Sequence, residues 1–406
     1  MAIAKNPHRS PEMFRIHRYS LWSFEVGASV QPLSKGKRKK SRFMISPTPT
    51  HSNFWNSHDF TLDKKIGQGC FGKIYRAKYH RPIELAPSRD RSQSSVHINA
   101  KKCSFVAIKQ FSKIKLMESK DRGSRSHELL EREIGIHSQL QHKHILSFWG
   151  YFDSLSHVSL VLEYAPYGDL LNYTTRNFPY SRELRLKASS HFVRQIACAL
   201  DHLQACQIAH RDIKPENIVV VSPRQVKLCD FGWAVSFQKA GYQTTLCGTS
   251  EYVPPEMLAC NCKYQAAYVD SWALGVLTYE LVEGESPFVL DASKCKTNLP
   301  RQQIHGNVTT EMVFDKIRNF PGFFPRHGPS QLTSVEMRTF ADFVTGLMQI
   351  NPESRWCPVD ALEHSFLSLS SFLVEGREPP NKEHSRHSSF SKPASYVHFI
   401  NNASVG

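Results

Sequence analysis

The chain has 406 residues, with 40% hydrophobic and 11% aromatic side chains and a formal net charge of +15. That supplies enough apolar material for a sizeable core and excludes a chain that is disordered or fibrous throughout. Ten cysteines without metal-ligand spacing, no apolar run near the roughly 20 residues that span a bilayer, and an N-terminus without a secretory core point to a reduced, non-membrane protein of the cytoplasm and nucleus.

Residues 1–57 hold ten lysines and arginines against Glu12 and Glu25, are rich in Ser and Pro, and show no sustained apolar period. They are expected to form a disordered basic tail. Its run Lys35-Gly36-Lys37-Arg38-Lys39-Lys40 reads equally as an import signal, a patch for nucleic acid or acidic protein, or a solubilising stretch. A strand pattern starts at Phe60, breaks at Gly67 to Gly72 and resumes through Ile74, Tyr75 and Ala77, which predicts a hairpin with a Gly-rich turn. Residues 80–104 are polar and look like a surface insertion before a strand at Phe105 to Phe111. Leu129, Leu130, Ile134, Ile136 and Leu140 then predict a helix over Ser126 to Leu140, followed by short strands at Phe148 to Phe152 and Val158 to Tyr164.

Beyond Gly168 the pattern turns helical. Phe192, Ile196, Leu200 and Leu203 mark one face of a long helix, and 268–283 is nearly all apolar, which implies burial on every side. Residues 289–310 form a second insertion, and 368–406 a second disordered tail. The sum is an α+β, bilobal arrangement over 58–367: a strand-rich N-lobe (58–164), a helical C-lobe (165–367), and a cleft between them for a ligand.

Four motifs in order carry the chemistry. Ile66-Gly67-Gln68-Gly69-Cys70-Phe71-Gly72 sits between two strands, where bare backbone amides can close over phosphates; no helix follows, so a dinucleotide site of the Rossmann kind is disfavoured. Val106-Ala107-Ile108-Lys109 resembles a protein-kinase signature and places a lysine on the next strand, for α- and β-phosphates, with Glu133 as the carboxylate that steadies it. In His210-Arg211-Asp212-Ile213-Lys214-Pro215-Glu216-Asn217, Asp212 would accept the acceptor hydroxyl's proton, Lys214 would lie near the γ-phosphate and Asn217 would hold a metal. Asp230-Phe231-Gly232 adds a hard carboxylate for Mg²⁺. An intact Lys, Asp, Asn, Asp set predicts an active enzyme that uses ATP and Mg²⁺, with Ile66, Gly67, Gly69, Gly72, Ile74, Ala107 and Lys109 walling the nucleotide.

The stretches Asp230 to Val235 (DFGWAV), Thr244 to Met257 (TTLCGTSEYVPPEM), Leu160 to Pro166 (LVLEYAP) and His142 to Phe152 (HKHILSFWGYF) resemble the Aurora family of serine/threonine kinases, and the resemblance runs from about Asp59 to Phe366. It implies a phosphorylated Thr245, with Thr244 as the second candidate, pairing with arginines such as Arg211. It also implies an adenine hinge at Glu163 and Ala165 with Leu162 as gatekeeper, and an ion pair of Glu256 with Arg355. Asp270 would brace the catalytic loop, and Thr249 would contact Lys214 and help select the acceptor. Asp169 and Glu216 would receive arginines two or three residues before the phosphorylated Ser or Thr. Partners are therefore protein substrates with such arginines, acted on in mitosis at the spindle, centrosome or chromosomes; a monomer suffices for catalysis, and nucleic acid is not expected as a substrate. The alternatives are a basophilic kinase of another group and a kinase-fold scaffold.

The chain also departs from the family. Tyr242 and Gln243 stand where Auroras carry two arginines, which questions autophosphorylation of Thr245 and opens the way to an upstream kinase. His137 stands where many have glutamine, one turn after Glu133. A polar group there is expected to weaken the column of Phe148, His210 and Phe231, so an activating partner at this helix is expected.

Overall fold

The computed structural model describes residues 55–68, 72–80, 105–118, 123–178, 181–237, 241–259, 263–288, 307–322 and 334–372, all within one compact unit. Both expected tails up to residue 54 and beyond 372, most of the two insertions, and Gly69 lie outside the described residues.

The small lobe is one antiparallel sheet in the order β1-β2-β3-β5-β4. Its strands are β1 (Phe60–Gln68), β2 (Gly72–Tyr79), β3 (Phe105–Ser112), β4 (Phe148–Asp153) and β5 (His157–Glu163). β3 is central and largely buried, as its Val-Ala-Ile sequence requires of a strand covered on both faces. The register fixes the cleft wall: Ile74 lies opposite Lys109, Ala107 opposite Leu162, and Gly67 opposite Ile74. At Gly72 a Cβ would stand 2.3 Å from the Gln110 carbonyl oxygen, so only glycine lets β2 enter this close to β3.

Helices α1 (Lys113–Glu118) and α2 (Gly123–His137) follow β3. α2 stops three residues before the end expected from its apolar spacing, because Gln139 and Leu140 close a tighter turn onto Ile136 and His137. Packing begins at Trp55, ahead of the boundary read from the sequence: its indole donates to the Trp149 carbonyl (2.9 Å), and its ring meets Phe60, which stacks on Phe152. At the other end the chain continues helically from Ser365 to Phe372, past the expected boundary at 367, with Leu369 against the core.

The large lobe holds α3 (Leu170–Asn177) and α4 (Arg182–Ala205). The small strands β6 (Ile208–Ala209), β7 (Ile218–Ser222), β8 (Gln225–Leu228) and β9 (Val235–Ser236) pair as β6 with β9 and β7 with β8. Next come α5 (Val269–Glu283), α6 (Asn307–Arg318), α7 (Val335–Leu347) and α8 (Pro358–Glu363). On α4 the predicted face of Phe192, Ile196, Leu200 and Leu203 is buried. α5 is buried on every side, as its sequence demands, and ends on Gly284 in the left-handed region (φ 86°), whose N–H closes onto the Glu280 carbonyl. α6 takes up the last residues of the segment read as an insertion.

One buried ion pair ties the lower end of the large lobe to the loop ahead of α5. Arg355, with a fully buried side chain, donates two parallel hydrogen bonds to Glu256 (2.7 and 2.9 Å), others to the carbonyls of Gln349 and Tyr268, and stacks 5.2 Å from the Trp272 ring. Removing one partner strands the other charge in apolar surroundings. Arg355→Leu should therefore cost about 3–5 kcal/mol of stability, read as a lower urea midpoint; an unchanged midpoint would show that the pair contributes nothing net.

Candidate active site

The cleft is organised around one ammonium. Lys109 on β3 is held to Glu133 of α2 at 2.7 Å and to Asp230, in the loop after β8, at 2.9 Å. Burial opposes a charge on Lys109, but the two carboxylates outweigh it and hold its pKa above the ordinary lysine value. Asp230 shows the reciprocal effect: burial works against its charge, yet Lys109 holds its carboxyl well below the usual range. The Asp230 backbone sits in the left-handed region (φ 64°), a costly conformation for a non-glycine residue that aims its side chain into the cleft.

α2 is pinned a second time, one turn after Glu133. The buried His137 donates from Nε2 to the Leu146 carbonyl (2.7 Å), and its ring lies 4.6 Å from Phe231 and 5.4 Å from Phe148. The expectation that a polar side chain weakens this column is corrected: the imidazole's polar edge is satisfied by a backbone carbonyl, leaving the ring to pack as an apolar one. Burial drives its pKa down to about 4, with Lys109 and His210 adding to the effect and the Leu146 bond and Asp230 opposing it.

The catalytic-loop residues converge on Asp212. Its Oδ1 accepts from Thr249 Oγ1 (3.0 Å), and its Oδ2 accepts from Asn217 Nδ2 (2.7 Å) and Lys214 Nζ (3.0 Å). Lys214 also donates to Thr249 Oγ1 at 2.8 Å. The loop is braced by Asp270 at the start of α5, which accepts the His210 and Arg211 amides at 2.7 and 2.8 Å. Arg211 is in the left-handed region (φ 65°), and a Cβ on Gly248 (φ 94°) would lie 2.6 Å from its carbonyl, so the activation segment passes here only as glycine.

The donor set suits a hard divalent cation. Asn217 gives Nδ2 to Asp212 and has no protein donor on Oδ1 among the described residues, and Asp230 keeps a partly exposed carboxylate. At the hinge, Glu163 turns its side chain away to accept from Ser147 Oγ (2.8 Å) and Lys227 Nζ (2.7 Å), while among the described residues no acceptor takes the Ala165 N–H. Leu162 is buried between Ala107 and Phe148. Ile66 is exposed at the cleft rim.

On the acceptor side, Asp169 caps α3 through the Asn172 amide (2.8 Å). Glu216 has a buried Oε2 with no hydrogen-bond partner, and its pKa is raised by burial, with Lys214 opposing and Asp212 and Asp169 adding. Sequence reasoning missed the third acid, Glu280 of α5. It accepts from the Tyr252 hydroxyl and has a pKa pushed up to about 7 by burial, the Tyr252 bond opposing and Glu216 and Glu251 adding. Its signal was available as a carboxylate in the middle of a largely apolar helix. Cys247, two residues after Thr245, is buried, and burial raises its thiol pKa against the pull of Arg211, which disfavours the reactive thiolate.

Bilobal fold and cleft together define a protein kinase, and the family model of the protein kinase domain matches residues 92–367. β1 and β2 precede that match, and their membership of the domain rests on the sheet register. The chain is 33% identical to the Aurora kinase of Schizosaccharomyces pombe over 310 residues, 76% of this chain and 71% of that protein. It is 30% identical to Aurora kinase A-A of Xenopus laevis over 351 residues, 86% and 69% of the two chains. Against the Aurora kinase of Encephalitozoon cuniculi it is 29% identical over 314 residues, 77% and 96%. The chain belongs to the Aurora kinases, serine/threonine protein kinases that use ATP and a divalent metal.

Two outcomes follow from this geometry. Lys109→Met should lower turnover by about 10²–10³ with near-UV circular dichroism preserved, and wild-type turnover would remove the ammonium from the chemistry. Folding favours neutral His137, so its stabilisation is complete above pH 6.5, its ordinary pKa, and is lost as pH falls towards 4. His137→Gln should flatten the fall of Tm over that interval; an identical slope would show that His137 does not titrate there.

Proposed function

We propose that this chain phosphorylates Ser and Thr in proteins that present arginine two or three residues before the acceptor, and that it acts in mitosis. The observation that carries the specificity is the acid group beside Asp212: Glu216 with an unpartnered buried oxygen, coupled to Asp169 and to Glu280. A buried carboxylate oxygen without a donor costs free energy that a guanidinium would recover with two charge-assisted hydrogen bonds. The raised pKa values of Glu216 and Glu280 come first from burial, with neighbouring carboxylates adding to it.

In this reading Asp212 takes the proton of the acceptor hydroxyl and becomes neutral, and Lys214, 3.0 Å from it, then faces the negative charge of the phosphoryl group being transferred. Thr249 orients the carboxylate through Oδ1. Asn217 Oδ1 and the free oxygen of Asp230 would hold Mg²⁺. Bound MgATP supplies the phosphoryl group and the metal charge; Lys109, Ile74, Ala107, Leu162 and the Ala165 amide are the protein's part in placing it, with Ile66, Gly67 and Gly72 above. Thr245, with Thr244 as second candidate, is the regulatory phosphorylation site. The family resemblance supports spindle, centrosomal or chromosomal substrates and a partner acting at α2. His137 itself offers that partner no weakness to correct.

A peptide-library assay with Asp230→Asn as the inactive control tests the reading. Peptides with Arg two or three residues before Ser should be turned over at least tenfold faster than their alanine counterparts, and Glu216→Gln should shrink that ratio mainly through KM. Equal turnover of both peptides would end the basophilic claim.

A further inference from the structure

Arg211 precedes the catalytic Asp212 and is buried, yet among the described residues no carboxylate lies within ion-pair distance of its guanidinium. Its acceptors are neutral: Nε donates to the Trp233 carbonyl (2.9 Å) and Nη1 to the Tyr264 hydroxyl (2.9 Å). Tyr264, itself buried, passes its own proton on to the Thr245 carbonyl at 2.8 Å. Gln243 and Tyr264 also form an isolated antiparallel bridge at this point, Gln243 N–H to Tyr264 O at 2.8 Å and Tyr264 N–H to Gln243 O at 3.0 Å.

A hydroxyl that accepts from a cation is polarised and becomes a stronger donor, so the charge on Arg211 reaches the Thr245 backbone through one side chain. A phosphate on Thr245 would be received by the same guanidinium. The two arginines that would add cations ahead of Thr245 are replaced in this chain by Tyr242 and Gln243.

We infer that Tyr264 is a positioning residue for phosphoryl transfer: its hydroxyl clamps the activation segment at Thr245 to Arg211 and so holds the catalytic loop in its working geometry before any phosphate is added. The inference rests on the reading of Thr245 as the regulatory site. It makes the unphosphorylated chain partly active, with phosphate adding to a segment already in place.

The test is Tyr264→Phe in the full chain, which keeps the ring among Ala209, Val253 and Met257 and removes only the oxygen. In phosphatase-treated protein kcat should fall about tenfold, equivalent to about 1.4 kcal/mol, with KM for ATP within twofold and Tm nearly unchanged. The same drop is expected on a Thr245→Ala background, since the bond uses the backbone carbonyl. Phosphorylation of Thr245 should close most of the gap. Turnover within twofold of wild type, a drop of equal size before and after phosphorylation, or wild-type turnover that appears only after phosphorylation would each overturn it. Hydrogen exchange at the amides of 243–250 reads the clamp without catalysis: about tenfold faster exchange in Tyr264→Phe supports it and equal rates overturn it. Absence of turnover in every form would count against the proposed catalytic roles and leave that exchange result to decide the clamp.

Discussion

The position of one ammonium group governs this molecule. Lys109 leaves the central strand of the small lobe and satisfies at once a carboxylate from α2 and a carboxylate from the loop after β8. Three parts of the chain separated by up to 121 residues thereby share one charge balance. If α2 swung away, a nearly buried Glu133 and the lysine would each lose the partner that offsets its desolvation. The sheet therefore fixes the helix, and the helix fixes the sheet, through a bond whose loss costs both.

A second brace comes from below. Asp270, at the first turn of the largely apolar α5, accepts two successive backbone amides of the catalytic loop and so holds Arg211 in a backbone region that it would not occupy unaided. Asp212 then has its two oxygens committed to three side chains drawn from the loop itself and the activation segment. His210 and Phe231 join the two braces, because the His210 ring lies 5.0 Å from Phe231, which in turn packs on His137. The column runs from the small lobe to the large one with its polar edges satisfied by backbone carbonyls.

The acids near Asp212 show what burial does to a carboxylate. Burial raises the pKa of both Glu216 and Glu280, and the charge of Glu216 adds to the effect at Glu280. The proposed preference for arginine-bearing substrates rests on the cost of that burial, which a guanidinium would offset.

Short linear patterns disclosed much of this beforehand. The strand pattern from Phe60 to Ala77 with its Gly-rich break, the continuous apolar strand at Val106 to Ile108 and the nearly all-apolar stretch of α5 specify their elements, the last two because burial on both faces or all round leaves a direct mark on residue order. Lys109, Glu133, Asp212, Asn217 and Asp230 stood out as members of short motifs, and the fold brings Lys109 to Glu133 and Asp230, and Asn217 to Asp212. Which atoms meet was not legible. That Glu280 joins Glu216, that His137 finds the Leu146 carbonyl, and that Tyr264 stands between Arg211 and Thr245 depend on side chains 9 to 64 residues apart being brought together by packing, and a chain read in order carries no record of that distance. By itself the sequence determined the main elements and the family; only the tertiary structure decided where α2 stops, that α6 forms, and which polar groups are buried together, because desolvation is a property of neighbours in space.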